Sequence, residues 1–269
     1  MASRCGEQYF RRYILGEKIA PGVALIVGSA THVPIEHDLQ NKIETEELLP
    51  SEQIKDLARD TVNDRWDREG VRLDETEQEK GADRVKGEAV DMAVNLALLH
   101  HNELAPLIQP AHVERRWELD LPGYDCTLTG VIDIQETSLD VIDTKTAARR
   151  PAANSADGNQ QLTIYCLATK VLDGVIPKVS IHSLVKSKSK RRQPAEWRGL
   201  TLPDDIEIQE STRTSVDFPP VLRRIESLLV AIEKGIFLPT NPENWACDPR
   251  YCGYYPTCKY VNAKRRPLN

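Results

Sequence analysis

The sequence predicts an α/β fold with helices in its first half and strands concentrated in its second. Two observations carry that expectation. From Val113 onward, four segments cluster or alternate Val, Ile and Leu as strands do: Val113 to Leu119, Leu128 to Ile134, Leu139 to Lys145 and Val179 to Val185. Residues 41–112 are instead acidic, lack strand alternation and carry apolar residues at helical spacing. With 269 residues, 40% hydrophobic and 28% charged, the chain can bury one sizeable core, or one core with a helical insertion.

In order along the chain, residues 5–16 read as a short helix or extended lead-in that stops at Gly16. A helix is expected after Gly28, carrying His32, Ile35 and Leu39 at spacings of three and four. Within 41–112, Val90, Val94, Ala97 and Leu98 mark an amphipathic helix ending near His100 and His101, so this stretch reads as a helical insertion. His100, His101 and His112 have no convincing metal partner, and a solvated helix end accounts for the first two. In the first strand, Glu114 is an acid that could sit near the site, though it reads better as a cross-strand partner of Arg115 or Arg116. After the third strand, a polar loop with Pro151 and Gly158 leads into a helix from Gln160 to Leu172, which sets Gln161 and Tyr165 on one face at i, i+4. A last helix, about 220–234, places Leu222, Ile225, Leu229 and Ile232 on one face, with Gly235 as its stop.

The segment from Gly130 to Thr146 carries the chemistry. It reads as a β-hairpin, and a turn centred on Ser138 sets Asp133 opposite Asp143. Directly opposed cross-strand Cβ atoms lie roughly 5 Å apart, where like charges repel. A hard divalent cation such as Mg²⁺ or Mn²⁺ would offset the repulsion, and Lys145 falls on the same strand face as Asp143. A structural ion pair, or three solvated side chains, would satisfy the same pattern.

Charge and cysteine usage bound the setting. A net charge of −6 argues against a protein that coats nucleic acid by bulk charge, but leaves room for a local basic path. Lys186, Lys188, Lys190 and Arg191, in the run KSKSKRR after the fourth strand, read either as a solvated loop or as contacts to DNA phosphates. The apolar run Val23 to Val27 is too short for a membrane span or a signal core, so a cytoplasmic location is expected. Cys247, Cys252 and Cys258 cluster in WACDPRYCGYYPTCKY, a pattern that in such a setting suggests metal ligation more than disulfides. Cys126 and Cys166 read as small packed residues.

Taken together, Gly28 to His32 (G-x-x-x-H), Gly130 to Asp133 (G-x-x-D), Asp143-Thr144-Lys145 (D-x-K) and Gln161 to Tyr165 (Q-x-x-x-Y) resemble the RecB-like branch of the PD-(D/E)XK nuclease superfamily. The resemblance implies a restriction-endonuclease-like core, a central mixed sheet flanked by helices. It implies one nuclease domain over 1–269, with 41–112 as a helical insertion and the cysteine cluster of 245–260 closing onto Cys5. Asp133, Asp143, Lys145, Gln161 and Tyr165 would be catalytic. His32, Asp133, Asp143 and the Thr144 carbonyl would hold Mg²⁺ or Mn²⁺. Cys5, Cys247, Cys252 and Cys258 would bind a [4Fe–4S] cluster, with structural Zn²⁺ as the rival; the first interval here is C-x4-C, where cluster-bearing relatives usually show C-x2-C.

The activity so implied is a metal-dependent exonuclease acting on DNA single strands or ends in recombination or repair. The terminal motif is similar to those of phage and prophage nucleases, which work beside single-strand annealing proteins or helicases. From another class comes a non-catalytic DNA-binding or assembly module that keeps the fold. Such modules usually lose an acid or the lysine, and here every such position is filled.

Overall fold

The computed structural model describes residues 4–121, 123, 125–186 and 195–262. Helices lead: α1 (Gly6–Tyr9), which runs into a π-helical turn at Phe10–Ile14, then α2 (Val23–Thr45), α3 (Ser51–Glu69), α4 (Glu75–Lys80) and α5 (Ala82–Glu103). Strands β1 (Pro110–Asp120), β2 (Thr127–Glu136) and β3 (Val141–Ala147) follow, then α6 (Gln160–Asp173) and β4 (Val179–Val185). The chain continues through β5 (Ala195–Trp197), β6 (Leu200–Leu202), β7 (Ile206–Ser211), α7 (Phe218–Glu233) and α8 (Lys259–Asn262).

The central sheet is mixed and has the order β1-β2-β3-β4-β7. All its pairs are antiparallel except β3 with β4, which α6 connects as a crossover. The expected α/β architecture, a mixed sheet flanked by helices, is therefore what the chain adopts. The buried β4, where every side chain from Val179 to Val185 is shielded, sits at the centre of the core with Ile142, Leu162 and Ile206.

Several boundaries differ from expectation for local reasons. Helix α2 starts at Val23, five residues before Gly28, because the Gly22 carbonyl accepts the amides of Leu25 and Ile26. Strand β3 starts at Val141: Leu139 has a left-handed φ of 72° and donates its amide to Glu136 O, which makes Ser138–Leu139 part of the turn. His100 and His101 are not a solvated helix end. His100 is fully buried, and the buried ring of His101 places Nδ1 2.7 Å from Asp38 Oδ2. Asp38 Oδ1 also accepts the Leu49 amide at 2.8 Å, and Ser51 Oγ lies 3.3 Å from His101 Nε2, so one buried carboxylate pins α2, α3 and α5 together.

Strand pair β1–β2 depends on one glycine. Gly130 pairs directly with Trp117, and a Cβ at position 130 would lie 2.3 Å from Trp117 Cζ2. The indole thus crosses the strand where only a hydrogen fits, three residues before Asp133.

By contact density the chain divides into two compact units, Met1–Ile26 with Asp64–Gly87 and Leu222–Asn269, and Val27–Asn63 with Glu88–Val221. The second unit contains the sheet. In the first, the Gly6 amide donates to Leu238 O at 2.8 Å, and a Cβ on Gly6 would stand 2.6 Å from Leu238 N, so the two segments cross in contact. Tyr254 Oη donates to Glu17 O at 2.6 Å, and Arg72 donates to Pro249 O and Arg250 O at 2.8 and 3.0 Å. No helix among the described residues is long and apolar enough to cross a membrane.

Gly130→Ala should destabilise the protein by about 1–3 kcal/mol, the usual range for overpacking. Urea denaturation measures this, and the penalty should shrink in a Trp117→Leu background, where the clashing ring is gone.

Candidate functional site

The site is built where β2 and β3 part. Their ladder pairs Gln135 with Val141 and Ile134 with Ile142, so the next positions in register are Asp133 and Asp143, the opposition expected from a turn at Ser138. There the ladder ends. Asp133 Oδ2 instead accepts the Thr144 amide at 3.0 Å, replacing a strand-to-strand hydrogen bond with a side-chain one. The fork leaves two carboxylates facing one gap.

Asp143 is fully buried, with Lys145 Nζ 2.8 Å from each of its carboxylate oxygens. Only Oδ1 receives a hydrogen bond of good geometry; Oδ2 is buried without one. An ion pair without hydrogen-bond geometry leaves part of the desolvation cost of that oxygen uncompensated. Burial, only partly countered by Lys145, pushes the Asp143 carboxyl up to about 6 and raises Asp133 as well.

Helix α2 supplies the histidine. Gly28 and His32 lie one turn apart on the same face, and a Cβ on Gly28 would just touch Thr146 Oγ1 at 3.5 Å. A larger side chain would hold α2 off β3. His32 Nδ1 stands 3.8 Å from Asp133 Oδ2, and burial together with the Lys145 charge lowers its pKa, which keeps the ring neutral and able to act as a ligand.

Glu114 belongs to this group, contrary to its expected pairing with Arg115 or Arg116. Arg115 is instead bound by Asp173 at 2.6 and 3.0 Å. Strand β1 carries a register irregularity between Pro110 and His112, and Glu114 has a φ of 48°, a left-handed conformation that a non-glycine residue adopts at a cost. Its neighbours Val113 and Arg115 pair with Ile134 and Ile132, which sets Glu114 across from Asp133. Ligand atoms of His32, Glu114 and Asp133 all lie within 4.8 Å of one another. Burial and the Asp133 charge push the Glu114 carboxyl up to about 7.

Gln161 and Tyr165 enter from α6. Asn159 caps the helix by accepting the amides of Gln161 and Leu162 at 2.8 and 3.3 Å. The loop before it is fixed by buried Arg213, which donates to Ala156 O at 2.8 Å and to Thr163 Oγ1 at 2.8 Å. Gln161 Nε2 donates to Tyr165 Oη at 2.5 Å, and burial plus the charges of Asp133 and Asp143 raise the phenol pKa. His32, Asp133, Asp143, Thr144, Lys145, Gln161 and Tyr165 therefore meet at one place, with Glu114 added.

Among the proposed phosphate contacts, Lys186 extends the β3–β4 pairing by donating its amide to Ala147 O at 2.8 Å, and burial lowers its ammonium pKa. Lys188, Lys190 and Arg191 lie outside the described residues.

The cysteines divide differently. Cys5, Cys252 and Cys258 are buried and Cys247 is half-buried, all four in the unit that joins the first and last segments. Gln8 Nε2 donates to Cys252 Sγ at 3.0 Å. Among the described residues, no three cysteine sulfurs come within 4.8 Å of one another. Cys166 is fully buried, its thiol pushed up to about 12 by burial, as a packed residue should be; Cys126 is half-exposed.

A profile of the PD-(D/E)XK nuclease superfamily matches residues 2–259. Among solved structures, a proposed exonuclease from Eubacterium rectale aligns over 98% of this chain and 84% of its own, with 11% identity and a TM-score of 0.53, a likeness of fold. SSO0001 aligns over 97% of this chain and 94% of its own with 14% identity, at a TM-score of 0.39. No curated protein matches the chain.

Because Asp143 and Glu114 hold protons more tightly in the folded state than an ordinary carboxyl does, ionising them opposes folding. Their cost is absent at low pH and grows as pH rises from about 4 through the folded values. In chelator, Asp143→Asn should accordingly raise the melting temperature, by more at about pH 8 than at about pH 5. Differential scanning fluorimetry at the two pH values checks this.

Proposed function

This chain is a member of the PD-(D/E)XK nuclease superfamily, and we propose that it is a divalent-metal-dependent deoxyribonuclease that degrades DNA from its ends. The carrying observation is the convergence of His32, Glu114 and Asp133 beside buried Asp143, whose charge inside the protein is met only by Lys145. Oxygen donors with one neutral imidazole suit Mg²⁺ or Mn²⁺, the imidazole favouring Mn²⁺. These four side chains, with the Thr144 carbonyl, would hold the ion. When bound, it would polarise the scissile phosphate and acidify a water.

The chain's own groups supply the remaining chemistry. Lys145, about two-fifths exposed, would leave Asp143 to orient the water or to meet charge growing on the phosphoryl oxygens. The hydrogen-bonded Gln161 and Tyr165 would position the strand beside the acids. Lys186 and the basic residues after it would hold neighbouring phosphates.

The finer reading is a RecB-like exonuclease of phage type, acting in the cytoplasm on single strands or resected ends during recombination or repair, with a single-strand annealing protein or helicase as partner. Its supports are the order of the four motifs, the terminal cysteine pattern and the fold shared with a proposed exonuclease. The same reading gives Cys5, Cys247, Cys252 and Cys258 to a [4Fe–4S] cluster. Structural Zn²⁺ held by the same four thiolates is the rival reading. The cluster would act as a staple within the unit that holds them.

Incubation of end-labelled single- and double-stranded oligonucleotides with Mn²⁺ tests the activity. Wild type should shorten the DNA progressively, and Lys145→Ala should lower cleavage by roughly a hundredfold or more while retaining much of the DNA binding. Near-normal turnover by that variant would contradict the assignment. Glu114→Gln should weaken Mn²⁺ binding, read by calorimetry, by at least about tenfold. Anaerobically purified protein should be brown with broad visible absorbance that Cys247→Ser removes; colourless protein with stoichiometric zinc would refute the cluster.

A further inference from the structure

Among the aromatic rings that the unit holding the cysteines exposes, two stand in contact with each other. Trp245 is 63% and Tyr251 54% exposed, and their rings meet edge to face with centroids 5.5 Å apart. An arginine flanks each: Arg4 Cζ lies 4.9 Å from the centre of the Trp245 ring, and Arg250 Cζ lies 5.6 Å from that of Tyr251. Arg4 Nη2 also donates to Tyr251 O at 3.4 Å, which joins the two halves of the patch.

The loop under these rings is fixed without them. Asn244 Oδ1 accepts the Ala246 amide at 2.9 Å, and Asp248 O accepts the amides of Tyr251 and Cys252 at 3.0 and 2.8 Å. From below, Arg72 holds the carbonyls of Pro249 and Arg250. Exposed aromatic rings scattered singly are ordinary, but a contiguous pair between two guanidinium groups on a rigid loop has the composition of a stacking platform. The ring faces suit unpaired bases, and the guanidinium groups suit phosphates. Asp248 engages Arg250 through two contacts of 2.9 Å, so a phosphate would have to compete for that one cation. Lys259 is exposed nearby in sequence, and Lys264, Arg265 and Arg266 follow it.

We infer that Arg4, Trp245, Tyr251 and Arg250 form a binding surface for single-stranded DNA, on which the two rings stack bases. The inference deepens the nuclease reading and rests on it for the choice of DNA as ligand. Duplex DNA keeps its base faces stacked internally and gains only the phosphate contacts, so the surface discriminates in favour of single strands.

Fluorescence anisotropy with a labelled oligothymidylate of about a dozen nucleotides, in chelator to prevent cleavage, reads this affinity. Trp245→Ala and Tyr251→Ala should each raise Kd about tenfold for the single strand and little for a duplex of the same length, while Trp245→Phe keeps most of the affinity. Unchanged Kd in both alanine variants overturns the proposal. So does an equal loss for both DNA forms, or tighter binding of the corresponding RNA strand. Melting curves verify that the variants fold, and should Trp245→Ala fail to, Tyr251→Ala and Arg250→Gln decide. Hydrolysis of bis(p-nitrophenyl) phosphate with Mn²⁺ separates the two readings. It should persist in Trp245→Ala, whereas its absence from wild type would count against the nuclease assignment alone.

Discussion

Burial of negative charge at the fork between β2 and β3 is the constraint to which the sheet-bearing unit is fitted. Removing a carboxylate from water costs several kcal/mol unless a partner meets it, and here Asp133, Asp143 and Glu114 share one partly enclosed gap. The surrounding structure serves to hold them there. Gly28 lets α2 lie against β3, Gly130 yields its volume to Trp117, and Arg213 fixes the loop from which α6 departs. In a protein optimised only for stability, these acids would be replaced. Their retention, together with a left-handed backbone at Glu114, is the pattern of a site whose local cost serves chemistry.

How much of this was legible in sequence depended on whether the information was local. The register of β2 on β3 could be counted because the turn is short and centred on Ser138, so Asp133 and Asp143 emerged as a pair. Glu114 did not, because β1 and β2 are joined by a longer loop and β1 carries an irregularity, neither of which fixes a countable register. The acid's identity was visible; its facing was not. Likewise, His100 sits where a helix is ending and looks solvated, yet it is buried by strands and helices distant in sequence. Strands β5, β6 and β7 were missed because β5 and β6 are only three residues each, and β7, reading IEIQES, alternates too weakly to stand out. The helices of 41–112 and strand β4 were recovered because their periodicities run long enough to outweigh local noise.

The cysteine-bearing unit rests on a different kind of order. Its described contacts join early and late segments through hydrogen bonds, Gly6 to Leu238, Tyr254 to Glu17 and Arg72 to Pro249 and Arg250, and through ring packing of Tyr9 and Phe10 on Phe237. Short 3₁₀ turns and α8 contribute little regular structure there. A metal cross-link among its cysteines, as proposed, would add to these contacts.

The contact between Lys145 and Asp143 also sets a threshold for whatever cation enters the gap. An ammonium group sits 2.8 Å from the buried carboxylate, a monovalent counter-ion supplied by the chain itself. Sodium or potassium would bring no more charge than is already present, and would arrive without the tether that keeps the lysine close. Only a cation of higher valence improves on that arrangement, and the same act frees the lysine tip for another partner. Under the proposed metal-dependent reading, the spacing of two residues on one strand would disfavour abundant monovalent ions.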